Sequence, residues 1–369
     1  MAELILQDGT RLSGCSFGAN KNVTGEIVFA TGLTGYPESL TDPSYAGQIL
    51  VLTYPLIGNY GVPQAQPKIQ KLRVGQSRTR DSAQAQNLPN NFESTKMQIA
   101  GLLVSEYSEK YSHLEATESL SSWLKRSGVP ALTGIDTRYL TQKLRAQGTM
   151  PGQIQLTSTS QKPRQFTNFL PKKLVPSVSI PKPIFYQAGP KKVALIDCGL
   201  KLSILRELLR RHVSVWRLPF DTDLSQYDFD GICLSSGPGD PQQVPGTQAI
   251  IRKELKNKKP ILGICLGHQI LALAAGGKTY KLPYGHRSQN QPVQDLKTKR
   301  CFITSQNHGY AVSSPLPRGF ALTHKNLNDQ SVEGIRSKTK PFFSIQFHPE
   351  AQPGPTDTEF LFDEFVTEL

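Results

Sequence analysis

The second half of the chain repeats one pattern that leaves few folds open: a short run of apolar residues, a glycine-containing turn, then residues with helical spacing. Residues 193–196 form such a run, followed by Gly199 and a helical stretch over 203–211. Runs at 231–234 and 260–265 follow, each ending in a glycine-rich turn, and the latter leads into a helix over 267–275. Strands apolar on both faces must be covered on both sides, so the pattern predicts an α/β domain in which helices sandwich a parallel sheet. Ligands of such sheets sit beyond the carboxyl ends of the strands, so the chemistry should lie in the turns.

The first half reads differently. Short alternating segments at 4–6, 26–30 and 49–53, separated by glycine turns, predict sheet, joined by a strand over 99–104 and helices over 119–126 and 137–147. Between 64 and 91 periodicity is lost in Gln, Arg, Ser and Asn, as in a flexible insertion. From 151 to 190 the chain is rich in Pro, Lys and Ser, the composition of an extended connection. These readings divide 369 residues into a β-rich α/β domain over 1–150, a linker over 151–190 and the parallel-sheet domain over 191–369.

Composition matters chiefly for what it excludes. A formal net charge of +13 could mark a nucleic-acid surface, but the basic residues gather in the 64–91 insertion and in the Pro-rich connection, with few aromatics and no nucleic-acid motif. They read as solvated loops. The five cysteines, Cys15, Cys198, Cys233, Cys265 and Cys301, are scattered without a CxxC pair, so neither a disulfide framework nor a metal site is expected. No apolar run is long enough to span a membrane and the start does not read as a leader, which fits a cytoplasmic protein.

The strongest chemical signal is Gly263-Ile264-Cys265-Leu266-Gly267-His268-Gln269, a strand running into a sharp turn and a helix. Glycines flanking a nucleophile permit the strained backbone that lifts its side chain above the sheet. A helix N-terminus favours a thiolate and offers N–H groups to an oxyanion. Cys15, Cys198, Cys233 and Cys301 have no such flanks and read as small buried hydrophobes. A thiol nucleophile needs a base and the base an orienting group. His348, Pro349 and Glu350, following an apolar strand over 341–347, supply both: His348 takes and returns the proton while Glu350 fixes the ring tautomer. Among rival histidines, His268 sits on the helix after the turn and should point away, and His308 lies in what reads as a binding turn. His113, His212, His286 and His324 carry no local signature. The turn Ser236-Gly237-Pro238-Gly239 lacks the Lys-Ser/Thr of a phosphate loop and suits an oxyanion hole, where one lost donor typically costs about 2.7 to 4 kcal/mol.

Together, Gly237-Pro238-Gly239, the 263–269 segment and His348-Pro349-Glu350 resemble a class I (triad) glutamine amidotransferase domain, which implies a flavodoxin-like fold. Thr34-Gly35-Tyr36-Pro37-Glu38, Leu40 to Tyr45, Tyr54 to Gly61 and Gly134-Ile135-Asp136-Thr137-Arg138 resemble the amino-terminal domain of the carbamoyl phosphate synthetase small subunit. Lys278 to Lys281, Asn290-Gln291-Pro292 and Gly354 to Thr358 are closest to the eukaryotic glutaminase region, including that of the multifunctional pyrimidine-synthesis polypeptide. The resemblance implies catalysis by Cys265, His348 and Glu350, and an oxyanion hole from the N–H groups of Leu266 and Gly237. It implies glutamine binding by Ser44, Gly237, Gly239, Leu266, Gln269, Asn307, Gly309 and Tyr310, so that both halves contribute.

The implied reaction is hydrolysis of glutamine to glutamate through a cysteine thioester, with ammonia delivered to a large subunit or fused synthetase domain that makes carbamoyl phosphate. No cofactor or metal is expected in this chain; ATP, magnesium and bicarbonate would be used by the partner. The urea-cycle relative has lost its nucleophilic cysteine, whereas Cys265 is kept. Three departures stand out: Ser236 before Gly-Pro-Gly and Ser203 after Lys201, where Asn is usual, and Ser288-Gln289 in place of Gly-His. Two other readings are a class I amidotransferase serving a different synthase, and a catalytically silent regulatory relative. Pyrimidine and arginine supply are not separated by these motifs.

Overall fold

The computed structural model describes residues 2–64, 88–89, 91–156, 166 and 173–369. Most of the 64–91 insertion and the middle of the 151–190 connection lie outside the described residues. The chain divides into two compact units, the first of residues 1–65 and 94–172, the second of 66–93 and 173–369.

The first unit is built on a closed barrel of seven strands. Around it run Ala2–Leu6, Met150–Leu156, Val23–Ala30, Gln48–Leu52, Gly101–Leu103, Ala131–Thr133 and Arg11–Ser16. Closure leaves no free sheet edge and turns alternate side chains inward, which is why Leu4, Ile27, Leu50, Leu102 and Ile154 are fully buried. Helix Thr137–Gln147 matches the expected range, with Asp136 accepting from the Tyr139 N–H at its start. One expectation fails here. Residues 150–156 are not part of an extended connection but the strand that closes the barrel, pairing with both Ala2–Leu6 and Val23–Ala30. Its MPGQIQL sequence has a proline and two glutamines, and only closure of the barrel makes it a strand. Two of the quoted motifs bind each other: Tyr60 Oη accepts from the N–H groups of Gly35 and Tyr36, Tyr36 Oη donates to the Gly61 carbonyl, and the rings stack at 4.2 Å.

The second unit holds a ten-stranded sheet. Its parallel half runs in the order Val213–Pro219, Lys191–Asp197, Gly231–Leu234, Ile261–Ile264, Phe342–Ile345. Successive residues of these strands enter different cores. Val193, Leu195, Cys233, Leu262, Ile264, Phe343 and Ile345 pack on one face beneath helices Leu202–Arg210 and Phe360–Thr367. Ala194, Ile196, Ile232, Leu234, Ile261 and Phe342 pack on the other beneath Leu266–Ala274. Two covered faces are the physical origin of the unbroken apolar runs in the sequence.

Strands Val332–Ser337, Cys301–Val312, Thr279–Asp295 and Phe320–Asn326 continue the sheet antiparallel. The region expected as linker also contributes the short helix Leu174–Val178 and the edge strand Ile184–Tyr186. Glu93, which belongs to this unit, caps helix Leu202–Arg210: its Oε2 accepts from Ser203 N and Oγ at 3.0 and 2.5 Å, and its Oε1 pairs with Arg206 at 2.7 Å. That contact gives Ser203 a role that the sequence alone did not.

Candidate active site

The site is assembled at the carboxyl ends of two neighbouring parallel strands. Ile264 and Ile345 are register partners, and the Cys265 N–H donates to the Ile345 carbonyl at 2.9 Å. Cys265 therefore leaves one strand where the segment leading to His348 leaves the next. At Cys265 the backbone turns with φ 53° and ψ −102°, a conformation that side-chain-bearing residues rarely adopt. Both flanking glycines are required for it. A Cβ on Gly263 would lie 2.6 Å from the Gly267 carbonyl oxygen, and one on Gly267 would lie 2.3 Å from that of Leu234. Strand, turn and helix are thus packed backbone to backbone, and the sulfur is held at the helix start, 3.7 Å from the Asn307 carbonyl oxygen.

His348 is fixed from two sides. Its N–H donates to the Ser305 carbonyl at 2.9 Å, and its Nδ1 lies 2.6 Å from Glu350 Oε1. Both side chains are buried, and His348 Nε2 has no hydrogen-bond partner among the described residues. Burial works most strongly against the charged imidazole, but Glu350 and the Cys265 side chain together outweigh it, and the proton affinity of the ring is raised. Burial likewise opposes the charged Glu350 carboxylate, but His348 and Lys201 together hold its pKa down. The result is a ring anchored through Nδ1, with Nε2 left to take and return a proton.

Lys201 is the functional residue that the sequence reading quoted but did not interpret. Its Nζ lies 3.3 Å from Glu350 Oε1 and donates to the Ala351 carbonyl at 2.6 Å, and its side chain is 3% exposed. The turn before it is held by Asp197, whose Oδ1 accepts from the N–H groups of Gly199 and Leu200 at 2.9 Å while Oδ2 pairs with Arg217. A lysine after a Gly-Leu turn has no distinctive spacing to Glu350, 149 residues away in the chain. Only the sheet brings them together.

The expected oxyanion residues are also neighbours. A Cβ on Gly237 would meet the Cys198 carbonyl oxygen at 2.1 Å and Leu266 Cδ2 at 2.8 Å, so the glycine turn packs directly against the first helical residue after Cys265. The Leu266 N–H is at the helix N-terminus, where the helix itself supplies no acceptor. Gly239 has φ 85°, as a left-handed turn requires. Ser236 Oγ donates to the Gly199 carbonyl at 3.4 Å, which accounts for one departure from the family motif. Gln269 donates to the Tyr310 carbonyl at 2.8 Å and to Gln346 Oε1 at 3.0 Å, tying the nucleophile helix to strand Cys301–Val312. That strand carries Asn307, Gly309 and Tyr310. Ser44 lies in the first unit, in a short 3₁₀ turn where Asp42 accepts from its N–H, and its buried Oγ has no hydrogen-bond partner among the described residues.

The structure corrects the readings of His308, Cys15 and Cys301. His308 is not in a turn but within a strand, because the backbone from Cys301 to Val312 pairs continuously enough with Thr279–Asp295 to override the local Asn-His-Gly signal. His286, which carries no local signature in the sequence, is buried with Nε2 3.0 Å from Asp329 Oδ2. His268 is buried 2.9 Å from Ser344 Oγ, and burial lowers its pKa to about 3, leaving a neutral packing residue. Cys198 and Cys233 are buried as expected, their thiols pushed far up by burial, but Cys15 and Cys301 are exposed. Both sit at outward-facing strand positions that an isolated cysteine does not reveal.

Comparison with known proteins bears on both units. Residues 4–154 match the family model described as carbamoyl-phosphate synthase small chain, CPSase domain, and residues 194–368 match glutamine amidotransferase class-I. The carbamoyl phosphate synthase arginine-specific small chain of Saccharomyces cerevisiae is 48% identical over all of this chain and 88% of its own length. The multifunctional protein CAD of Squalus acanthias is 45% identical over 99% of this chain, which spans only 16% of that protein. A relative from Aquarana catesbeiana, named as the ammonia form of the mitochondrial synthase, is 45% identical over 99% of this chain and 24% of its own length. No helix among the described residues is long and apolar enough to cross a membrane. With both family models matched in order and a full-length relative at nearly half identity, the chain belongs to the carbamoyl-phosphate synthase small chain family, carrying a class I glutamine amidotransferase domain.

Proposed function

We propose that the chain hydrolyses glutamine to glutamate and ammonia and supplies that ammonia to a carbamoyl phosphate synthetase. The observation that carries the reading is the Cys265, His348, Glu350 arrangement, with Nδ1 of the ring engaged by Glu350 at 2.6 Å and Nε2 without a hydrogen-bond partner among the described residues. Cys265 attacks the side-chain amide carbon, and its proton passes to His348. The tetrahedral oxyanion is met by the N–H groups of Leu266 and Gly237. His348 then protonates the departing ammonia, leaving a glutamyl thioester on Cys265, and water activated by the same ring releases glutamate. Glu350 stabilises the imidazolium at each transfer, and Lys201 holds Glu350 in place. Ser44, Gly239, Gln269, Asn307, Gly309 and Tyr310 bind the glutamine. ATP, magnesium and bicarbonate belong to the synthetase.

One relative is named as an ammonia form, so identity alone does not favour glutamine; the thiol on its strained turn supports that reading. In the complex with a synthetase, Cys265→Ser is expected to abolish glutamine-dependent carbamoyl phosphate formation and to spare synthesis from added ammonia. Glutaminase activity that survives the substitution would overturn the assignment.

A further inference from the structure

The antiparallel half of the second unit's sheet contains a buried cluster that the proposed reaction does not use. His286 and His308 are direct partners across strands Thr279–Asp295 and Cys301–Val312, so their rings share one face, with centroids 4.9 Å apart and planes at 81°. Gln306, two residues before His308, falls on the same face, and Glu333 reaches it from Val332–Ser337. Ligand atoms of His286, His308 and Glu333 all lie within 4.8 Å of one another.

The hydrogen bonds define which atoms point inward. His286 Nε2 lies 3.0 Å from Asp329 Oδ2, and His308 Nδ1 lies 2.8 Å from the Tyr310 carbonyl oxygen. Both acceptors require an N–H, so neutral rings present lone pairs at His286 Nδ1 and His308 Nε2. These face another acceptor, Gln306 Oε1, at 3.1 and 2.9 Å, and Glu333 Oε1 is 3.8 Å from His286 Nδ1. Glu333 is fully buried and its Oε2 has no hydrogen-bond partner among the described residues. With both rings neutral, four acceptor atoms converge here and call for a positive charge, supplied by a proton on a ring nitrogen or by a metal ion.

We propose that His286 Nδ1, His308 Nε2 and the Glu333 carboxylate, completed by Gln306 Oε1, form a binding site for a divalent cation of the zinc class. Two imidazoles, a carboxylate and a carbonyl oxygen suit a borderline ion, and bonds of about 2.0 to 2.2 Å in tetrahedral array separate ligands by roughly 3.3 Å, within the spacings above. The outer contacts also fit: one histidine donates to a carboxylate, the other to a backbone carbonyl, and Asn326 Nδ2 donates to Glu333 Oε1 at 3.0 Å. Entry is at Asp329, whose side chain is 39% exposed. The ligands come from separate strands with no sequence spacing, which is why no metal was expected from the sequence. Tyr310 and Asn307, either side of His308 and Gly309, supply the carbonyls that accept from Gln269 and Cys265, so the ion would brace the strand facing the nucleophile. The site stands independently of the proposed glutaminase activity.

The test uses the full chain carrying Cys265→Ser, which removes the active-site thiol as a competing zinc ligand. After chelator treatment it is titrated with zinc chloride by calorimetry and with cobalt(II) by visible absorption. One equivalent per chain is expected, with the cobalt spectrum of a four-coordinate nitrogen and oxygen site. His286→Asn and Glu333→Gln should each weaken binding by about 100-fold or more, and Asp329→Asn at the rim by about 10-fold, with thermal melts verifying that each variant is folded. Failure of the folded chain to bind would overturn the proposal and leave the Gln306 amide, turned to donate its NH₂ to both rings, as the bridge. Stoichiometric binding unaffected by His286→Asn and Asp329→Asn would overturn it equally by placing the ion elsewhere.

Discussion

The two halves of the second unit's sheet solve opposite problems. In the parallel half every strand has an apolar core on both faces, and the polar chemistry is confined to the turns beyond the strand ends. In the antiparallel half Thr304, Ser305, Gln306, Asn307 and His308 are five consecutive buried polar residues within one strand. Burying such groups is tolerable only when each finds a partner, so this half is held by side-chain hydrogen bonds where the other is held by packing. The nucleophile belongs to the first half. His348 leaves the last parallel strand but is pinned by Ser305 of the second. The site therefore needs both, a rigid apolar scaffold to strain Cys265 and a polar one to orient what surrounds it.

If that division of labour is right, substitutions at the junction should differ sharply in size. His348→Asn removes the base and should lower glutaminase kcat by on the order of 10⁶-fold, whereas His268→Asn, in the same unit but engaged only with Ser344, should leave kcat within about tenfold of wild type. A reversal of that order, measured by glutamate release, would break the comparison. Glu350→Gln keeps the ring but misassigns its tautomer and should cost about 10⁴-fold in kcat, with little change in fold by circular dichroism. Gly267→Ala places a methyl group 2.3 Å from the Leu234 carbonyl oxygen. It should destabilise the chain by about 1 to 3 kcal/mol in urea titrations and displace the nucleophile; full activity in a stable Gly267→Ala protein would contradict the strained turn. Lys201→Met, which frees Glu350 without touching the ring, should have a smaller effect, about tenfold in kcat.

The smallest effect is on stability against pH. The pKa of Glu350 is lowered in the fold, so its contribution is present above its ordinary value of 4.5 and lost as pH falls below it. That of His348 is raised, so its contribution is complete below the ordinary value of 6.5 and is lost as pH climbs toward the raised one. The stabilisation from the pair should therefore be greatest between those two ordinary values and decline above the upper one, by at most about 1.4 kcal/mol per pH unit. Melting curves of wild type and Glu350→Gln should converge as pH rises. A gap that widens instead would mean that His348 is held neutral.

What could be read in the sequence follows the same division. The parallel strands and the elbow were legible because a strand covered on both sides must be apolar throughout, and because a Cβ at Gly263 or Gly267 would fall 2.6 or 2.3 Å from a backbone oxygen, so that only glycine fits. The helix over 137–147 was legible from its closing Gly148, and the structure adds its Asp136 cap. The antiparallel half was not: a strand such as Cys301–Val312 buries histidine, glutamine and asparagine, and its local Asn-His-Gly signature reads as a turn. Strand Met150–Leu156 was hidden by its proline and glutamines, and the Lys201 contact to Glu350 by sequence distance. Pairing between remote segments decides all three, and no local pattern encodes it.

The central claim is that the sulfur at 265 and the ring at 348 act as one proton-transfer unit. Acid quenching of the enzyme during turnover with labelled glutamine, followed by peptide mass analysis, tests it directly. The account predicts a glutamyl adduct on the peptide containing Cys265, absent in Cys265→Ser and strongly diminished in His348→Asn. Label carried by any other residue, or an adduct that forms at the wild-type rate without His348, would contradict it.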